Sequence, residues 1–196
     1  MQRRDFVAST VPKLLLGAVA QNLLLEACAQ SAVAPDTTTI GADPLVLTAR
    51  EGRTPAPLNV VGEMALEKVR GTDSGGLLCL FDFVAPPMSG PPLHKHSRED
   101  ELFYVLDGEI VVQLNGVRYT VGAGGTVYSP RGVVHAYQNF TKSNARLLIA
   151  ATPGAFGVMF EEMSAATPAG AMPSMDVLEG LHQKYGITTM GPPLST

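Results

Sequence analysis

The chain contains no tryptophan, only two cysteines, and few charges: 14 lysines and arginines against 18 aspartates and glutamates in 196 residues. That balance leaves no basic field for a polyanion, and no nucleic-acid motif occurs, so nucleic acid is excluded and a small molecule becomes the default partner. With two cysteines there is no disulfide framework. Cys28 falls in an N-terminal segment of separate character, and Cys79 stands alone in the apolar run LLCLFDF. There it reads as a small buried hydrophobe rather than a nucleophile or ligand. Long apolar runs are missing too. The moderately apolar stretch from Leu14 to Leu25 is too short to cross a bilayer, which excludes a spanning helix there.

What precedes that stretch is informative. MQRRDFV places Arg3 and Arg4 ahead of it, so residues 1–29 resemble a twin-arginine export signal and imply a periplasmic or other extracytoplasmic location. Cleavage after Ala29 fits the small-x-small pattern Ala27-Cys28-Ala29. Processing before Cys28, with a lipid anchor on that residue, fits less well because Glu26 is an unusual occupant of a lipoprotein box. An amphipathic helix packed on the domain is the competing reading. Residues 30–43, QSAVAPDTTTIGAD, have spacer composition without periodicity. Residues 44–196 remain as one domain, opening with a proline-rich extended arm.

The domain is organised around Gly90 to Gly108, GPPLHKHSREDELFYVLDG. His94 and His96 are two apart, so in a strand both imidazoles project to one face. Glu101 can join them once the chain bends back through residues 97–100. A second run, GGTVYSPRGVVHAYQN, carries His135, the natural third imidazole. Three of the chain's four histidines thus fall in two short runs. Imidazoles and a carboxylate suit a divalent transition metal, whether Fe, Ni, Co, Mn, Cu or Zn, and leave coordination positions open, unlike a closed, thiolate-rich structural zinc site.

The spacing His94-x-His96-x4-Glu101-x6-Gly108, followed by Gly124-x5-Pro130-x-Gly132-x2-His135-x3-Asn139, resembles the two signature motifs of the cupin superfamily. Within it, PPLHKHSREDELFYVLDGE is similar to the small quercetin-dioxygenase-like group. Two positions depart from the pattern. Met88 stands where the first motif usually carries a glycine, and Gly125 stands where the second often carries an acid. The resemblance implies an all-β fold, a single antiparallel β-barrel of the double-stranded β-helix or jelly-roll kind with a short C-terminal helix, assembled as a homodimer. It also implies a metal-dependent dioxygenase acting on an enolic or phenolic small molecule, with Glu101 as general base. An oxygen-independent isomerase or lyase and a non-catalytic small-molecule binder are the alternatives.

The strands follow from alternation. If Glu101 points inward, so do Phe103 and Val105, while Leu102, Tyr104 and Leu106 face out. Phe81 and Phe83 share a face, opposite Leu80 and Asp82. Asp107-Gly108 and Asn115-Gly116 are tight-turn dipeptides that delimit a hairpin. Phe81, Phe83, Phe103 and Tyr137 are candidate walls for a flat substrate, though each also suits an ordinary core position. Past Pro153 strand character fades, and Ser174 to Tyr185 reads as a capped helix stopped by Gly186. His182 on that helix reads as an ordinary surface histidine.

Overall fold

Alternating apolar and polar residues draw the middle of the described chain, residues 43–196 of the computed structural model, into short antiparallel strands. The expected export signal and nearly all of the spacer lie outside the described residues. In chain order the strands are β1 (Leu58–Val60), β2 (Glu63–Val69), β3 (Cys79–Ala85), β4 (His94–His96), β5 (Asp100–Asp107) and β6 (Glu109–Leu114). They continue with β7 (Val117–Gly122), β8 (Thr126–Ser129), β9 (His135–Gln138) and β10 (Ala145–Thr152). Two helices, α1 (Gly157–Ala166) and α2 (Met175–Tyr185), precede β11 (Ile187–Thr189).

The strands form two sheets, ordered β1-β2-β3-β10-β5-β8 and β11-β4-β9-β6-β7. They pack as a β-sandwich, not as the closed barrel expected from the sequence. Among the described residues no ladder joins β7 to β8 or β1 to β11. The turn after β7 crosses between the sheets instead. Gly124 N–H donates to the Val105 carbonyl at 2.8 Å and Val105 N–H to the Gly125 carbonyl at 3.0 Å. Asn115 and Gly116 take φ of 47° and 86°, the two positive values a type I′ turn needs to set Leu114 opposite Val117.

The phase of β5 is the one an inward Glu101 demands: Glu101, Phe103 and Val105 are buried and Leu102, Tyr104 and Leu106 exposed. Phe81, Phe83, Leu147 and Ile149 from the larger sheet meet Ile110, Val112 and Tyr137 from the smaller. Each such burial is worth roughly 1.5–3 kcal/mol. Asp82 points to the opposite face and is covered by Arg146, whose Nε and Nη2 donate to its carboxylate at 2.9 and 2.6 Å. Asn139 secures the turn after β9, with its Nδ2 donating to the Ala85 and Ser143 carbonyls at 2.8 Å each.

One open end is plugged by α1, whose Met159, Phe160 and Met163 are buried. The sequence did not announce this helix, because GVMFEEMSAA shows no clean 3.6-residue stripe. By contrast α2 forms where its caps predict it. Ser174 Oγ accepts from Val177 N–H at 3.3 Å, and Gly186 closes the helix at φ 74°. The arm at residues 43–57 contains no strand or helix. Lys68 Nζ pins it by donating to the carbonyls of Thr48, Ala49 and Glu51 at 3.2, 3.0 and 2.5 Å.

The approach to β4 contrasts two backbone positions. Met88 is exposed at φ 62°, in the region that favours glycine. Gly90 lies at φ 155°, and a Cβ there would strike the Tyr137 carbonyl oxygen. Urea unfolding should therefore show Met88→Gly neutral or stabilising by up to about 1 kcal/mol. Gly90→Ala should lose about 2 kcal/mol or more, because the atom it meets is backbone and cannot step aside.

Candidate metal centre

The centre is assembled from both sheets. In the smaller sheet β4 lies between β11 and β9, with Thr189 opposite His94, Ile187 opposite His96, and His94 opposite His135. That register brings three imidazoles to one patch of the inner face. Glu101 approaches from β5 in the facing sheet. The structure thus brings together all four residues expected as ligands: His94, His96, Glu101 and His135 are buried, and their candidate ligand atoms lie within 4.8 Å of one another. His135 Nε2 is 2.8 Å and His96 Nε2 3.4 Å from Glu101 Oε2, and the Nε2 atoms of His94 and His96 are 3.1 Å apart.

The partners behind the rings decide which nitrogen faces inward. His94 Nδ1 lies 2.7 Å from the Pro92 carbonyl and His135 Nδ1 3.0 Å from the Val133 carbonyl. A carbonyl oxygen only accepts, so each Nδ1 donates to the loop behind it and Nε2 is the nitrogen turned to the centre, where that of His135 meets Glu101. With the protons on these inward nitrogens displaced, imidazole lone pairs and a carboxylate would converge on one point, an arrangement that a cation satisfies. The residues present fit a divalent ion on that ground.

The charge state agrees. Burial, reinforced by His135 and His96, lowers His94 to about 3 and keeps it neutral. Burial alone would raise Glu101, but His96 and the hydrogen bonds from His135 and His96 hold it well below the usual carboxylate range. Burial also disfavours charge on His96, yet Glu101 and Glu99 outweigh it and push the ring up to about 9. Without a metal, the proton on His96 stands in for the missing positive charge. Glu99 is a residue that sequence reasoning missed. It is buried, and its Oε2 lies 3.4 Å from His96 Nδ1 with no other partner for either atom among the described residues. The available signal was its position three residues after a ligand histidine, inside an otherwise solvent-like acidic run.

A cavity of about 50 Å³ is lined by three of the four, His94, His96 and Glu101. Phe83, Phe103 and Tyr137 line it. Phe81 does not. It belongs to the core, edge-on to Phe83 and Phe160 at centroid distances of 6.2 and 5.1 Å. Phe156, Met159 and Phe160 supply wall in its place, from the segment whose helix was not anticipated. His182 also departs from expectation. It is buried at 7% exposure and faces the cavity, its ring tilted 27° to His94 at 6.2 Å. Burial, followed by His96, lowers it to about 4, so it is neutral near pH 7.

Tyr137 offers the cavity its ring, because its hydroxyl donates to Glu63 Oε2. Glu63 is fully buried, and burial pushes its carboxyl from 4.5 up to about 7 against the hydrogen bonds of Ser89 and Tyr137. The geometry accommodates the protonated acid. Ser89 Oγ sits 2.8 Å from the Pro86 carbonyl and 2.6 Å from Glu63 Oε1. One hydroxyl hydrogen serves only one of these at a time: Ser89 donates to Glu63 when the carboxyl is ionised, and can turn to Pro86 and accept from Glu63 when it is protonated.

Comparison with known proteins agrees with this site and fold. Residues 81–151 match the Cupin domain family. An oxalate-binding protein of Thermotoga maritima is 35% identical over 63 residues, 32% of this chain and 52% of that protein. An uncharacterized protein of Methanocaldococcus jannaschii is 28% identical over 74 residues, 38% of this chain and 59% of that one. The chain thus spans between half and three-fifths of the length of these curated relatives. Among solved structures, a predicted oxalate decarboxylase from Thermotoga maritima superposes with a TM-score of 0.51 at 20% identity, covering 56% of this chain and 99% of that one. The fold is a cupin β-sandwich with a short C-terminal helix, and the domain match with the fold supports a place in the cupin superfamily. No helix among the described residues is long and apolar enough to cross a membrane.

Two measurements check this account. His96→Ala should abolish stoichiometric retention of a divalent metal in a folded protein, read by elemental analysis; unchanged metal content would remove His96 from the ligand set. For Glu63 the sign is set by its raised folded value. Its contribution is full below about pH 4.5 and is lost as pH rises through about 7. Relative to Glu63→Gln, the parent should therefore lose on the order of 2–3 kcal/mol between pH 4.5 and 8 in paired denaturant titrations.

Proposed function

We propose that this protein is a metal-dependent cupin that activates a small chelating substrate, with His94, His96, His135 and Glu101 holding the ion. The observation that carries the reading is the convergence of four acceptor groups beside a cavity of about 50 Å³. Such a space takes a few heavy atoms, since one water needs about 10–15 Å³ on this measure. It favours a small enol, α-oxo acid or dicarboxylate over a molecule the size of a flavonol. When bound, the ion supplies Lewis acidity and, if redox-active, the capacity to engage dioxygen. Glu101 lines the cavity and takes the enol proton as general base. Phe83, Phe103 and Phe156 keep bulk water out.

Within this frame the resemblance to quercetinase-like cupins supports an oxygenase acting on a small enol. A second reading, oxygen-independent binding or decarboxylation of a small dicarboxylate, is favoured by the cavity volume and by the relative named for binding oxalate. The twin-arginine-like N-terminus supports action outside the cytoplasm, and export of folded protein would let the metal be loaded beforehand.

An oxygen electrode decides between the two. Protein reconstituted separately with Fe(II), Ni(II) or Mn(II) should consume dioxygen with a small β-diketone and far more slowly, if at all, with quercetin. Conversion of oxalate under argon selects the second reading. Turnover of flavonols alone overturns the assignment to small substrates.

A further inference from the structure

We infer that His182 is a substrate-binding residue that recognises the end of the ligand turned away from the ion. This rests on the metal reading above and assigns the site a specificity determinant of its own. Apart from the candidate ligands His94, His96 and Glu101 and from Tyr137, whose hydroxyl is turned to Glu63, His182 is the one polar side chain on the cavity wall among the described residues. It is not one of the four converging ligands.

Its position is built, not incidental. His182 Nδ1 is hydrogen-bonded to Thr189 Oγ1 at 2.8 Å, and Thr189 is the β11 residue directly opposite His94. One edge strand therefore sets both the first candidate ligand and the fourth imidazole. The ring's only hydrogen bond to the described residues is this one, which leaves Nε2 free for a ligand or water. A polar ring set in an otherwise apolar stretch of wall fixes the orientation of what binds there, and a ligand lying between the ion and α2 can hydrogen-bond its free nitrogen. Both His182 and Thr189 lie outside residues 81–151, the stretch matched to the cupin domain. The determinant thus belongs to the C-terminal addition of this chain, not to the shared motif.

The test uses the full chain loaded with Co(II), whose visible spectrum reports the coordination sphere. Azide probes an open position on the ion, while oxalate and acetohydroxamate also present a polar end to the wall. His182→Leu should keep one cobalt per chain and bind azide as the parent does, while binding oxalate, acetohydroxamate or both at least tenfold more weakly. His182→Gln should recover most of that loss. If the Leu variant does not fold, His182→Phe takes its place. Equal affinity of parent and apolar variant for both probes overturns the role, as does a cobalt-loaded parent that takes azide but neither larger probe. A parent chain that takes up no cobalt removes the metal centre itself, and this role with it.

Discussion

A carboxylate enclosed between two sheets must be neutralised, and the rest of the site follows from how Glu101 meets that requirement. Water cannot solvate it, and the desolvation cost of an isolated buried charge would be several kcal/mol. The facing sheet answers with three imidazoles, two of them within 3.4 Å of the same oxygen. The rings are in turn held from behind, His94 and His135 by loop carbonyls and His96 by the neighbouring Glu99. A polar cluster of this size in a sandwich core is a liability unless every member is satisfied. Its cost makes sense when a cation completes it.

The mechanical support comes from short elements. β4 contains three residues and is flanked by β9 and β11. Arg131 reinforces the link between the two motif segments: its backbone N–H and Nε donate to Asp100 Oδ1 at 2.9 Å each, and Nη2 to Oδ2 at 3.1 Å. The turn that delivers His135 is thereby clasped to the residue before Glu101. Exposed ion pairs of this kind add little to global stability, so the value of this one lies in geometry.

The sequence carried three of the central side chains, His94, His96 and Glu101, because their spacing is local; His135 comes from a second run and was read from the clustering of histidines and the resemblance. His94 and His96 share a strand face by period two, the inward phase of Glu101 predicts the burial of Phe103 and Val105, and turn dipeptides delimit the hairpin. The sequence did not carry what depends on contacts across the fold. Phe81 and Phe83 have the same phase, and only the position of α1 decides that Phe83 meets the cavity and Phe81 the core. α1 buries one face through Met159, Phe160 and Met163, but the exposed apolar Val158 and its small end residues blur the stripe in the sequence. His182 read as a surface residue since nothing in its local pattern reveals that β11 folds back beside His94. The open sheets likewise depend on where the turn after β7 crosses, which composition does not encode.

Cys79, the one thiol among the described residues, is sealed beneath the same core, its Sγ 3.8 Å from the Ala151 carbonyl. Burial pushes it up to about 12, so almost no thiolate exists near neutrality to be oxidised or alkylated. The folded domain is accordingly indifferent to the redox poise of its surroundings. It can pass between a reducing and an oxidising compartment without gaining or losing a crosslink, and without a soft sulfur ligand competing for the ion.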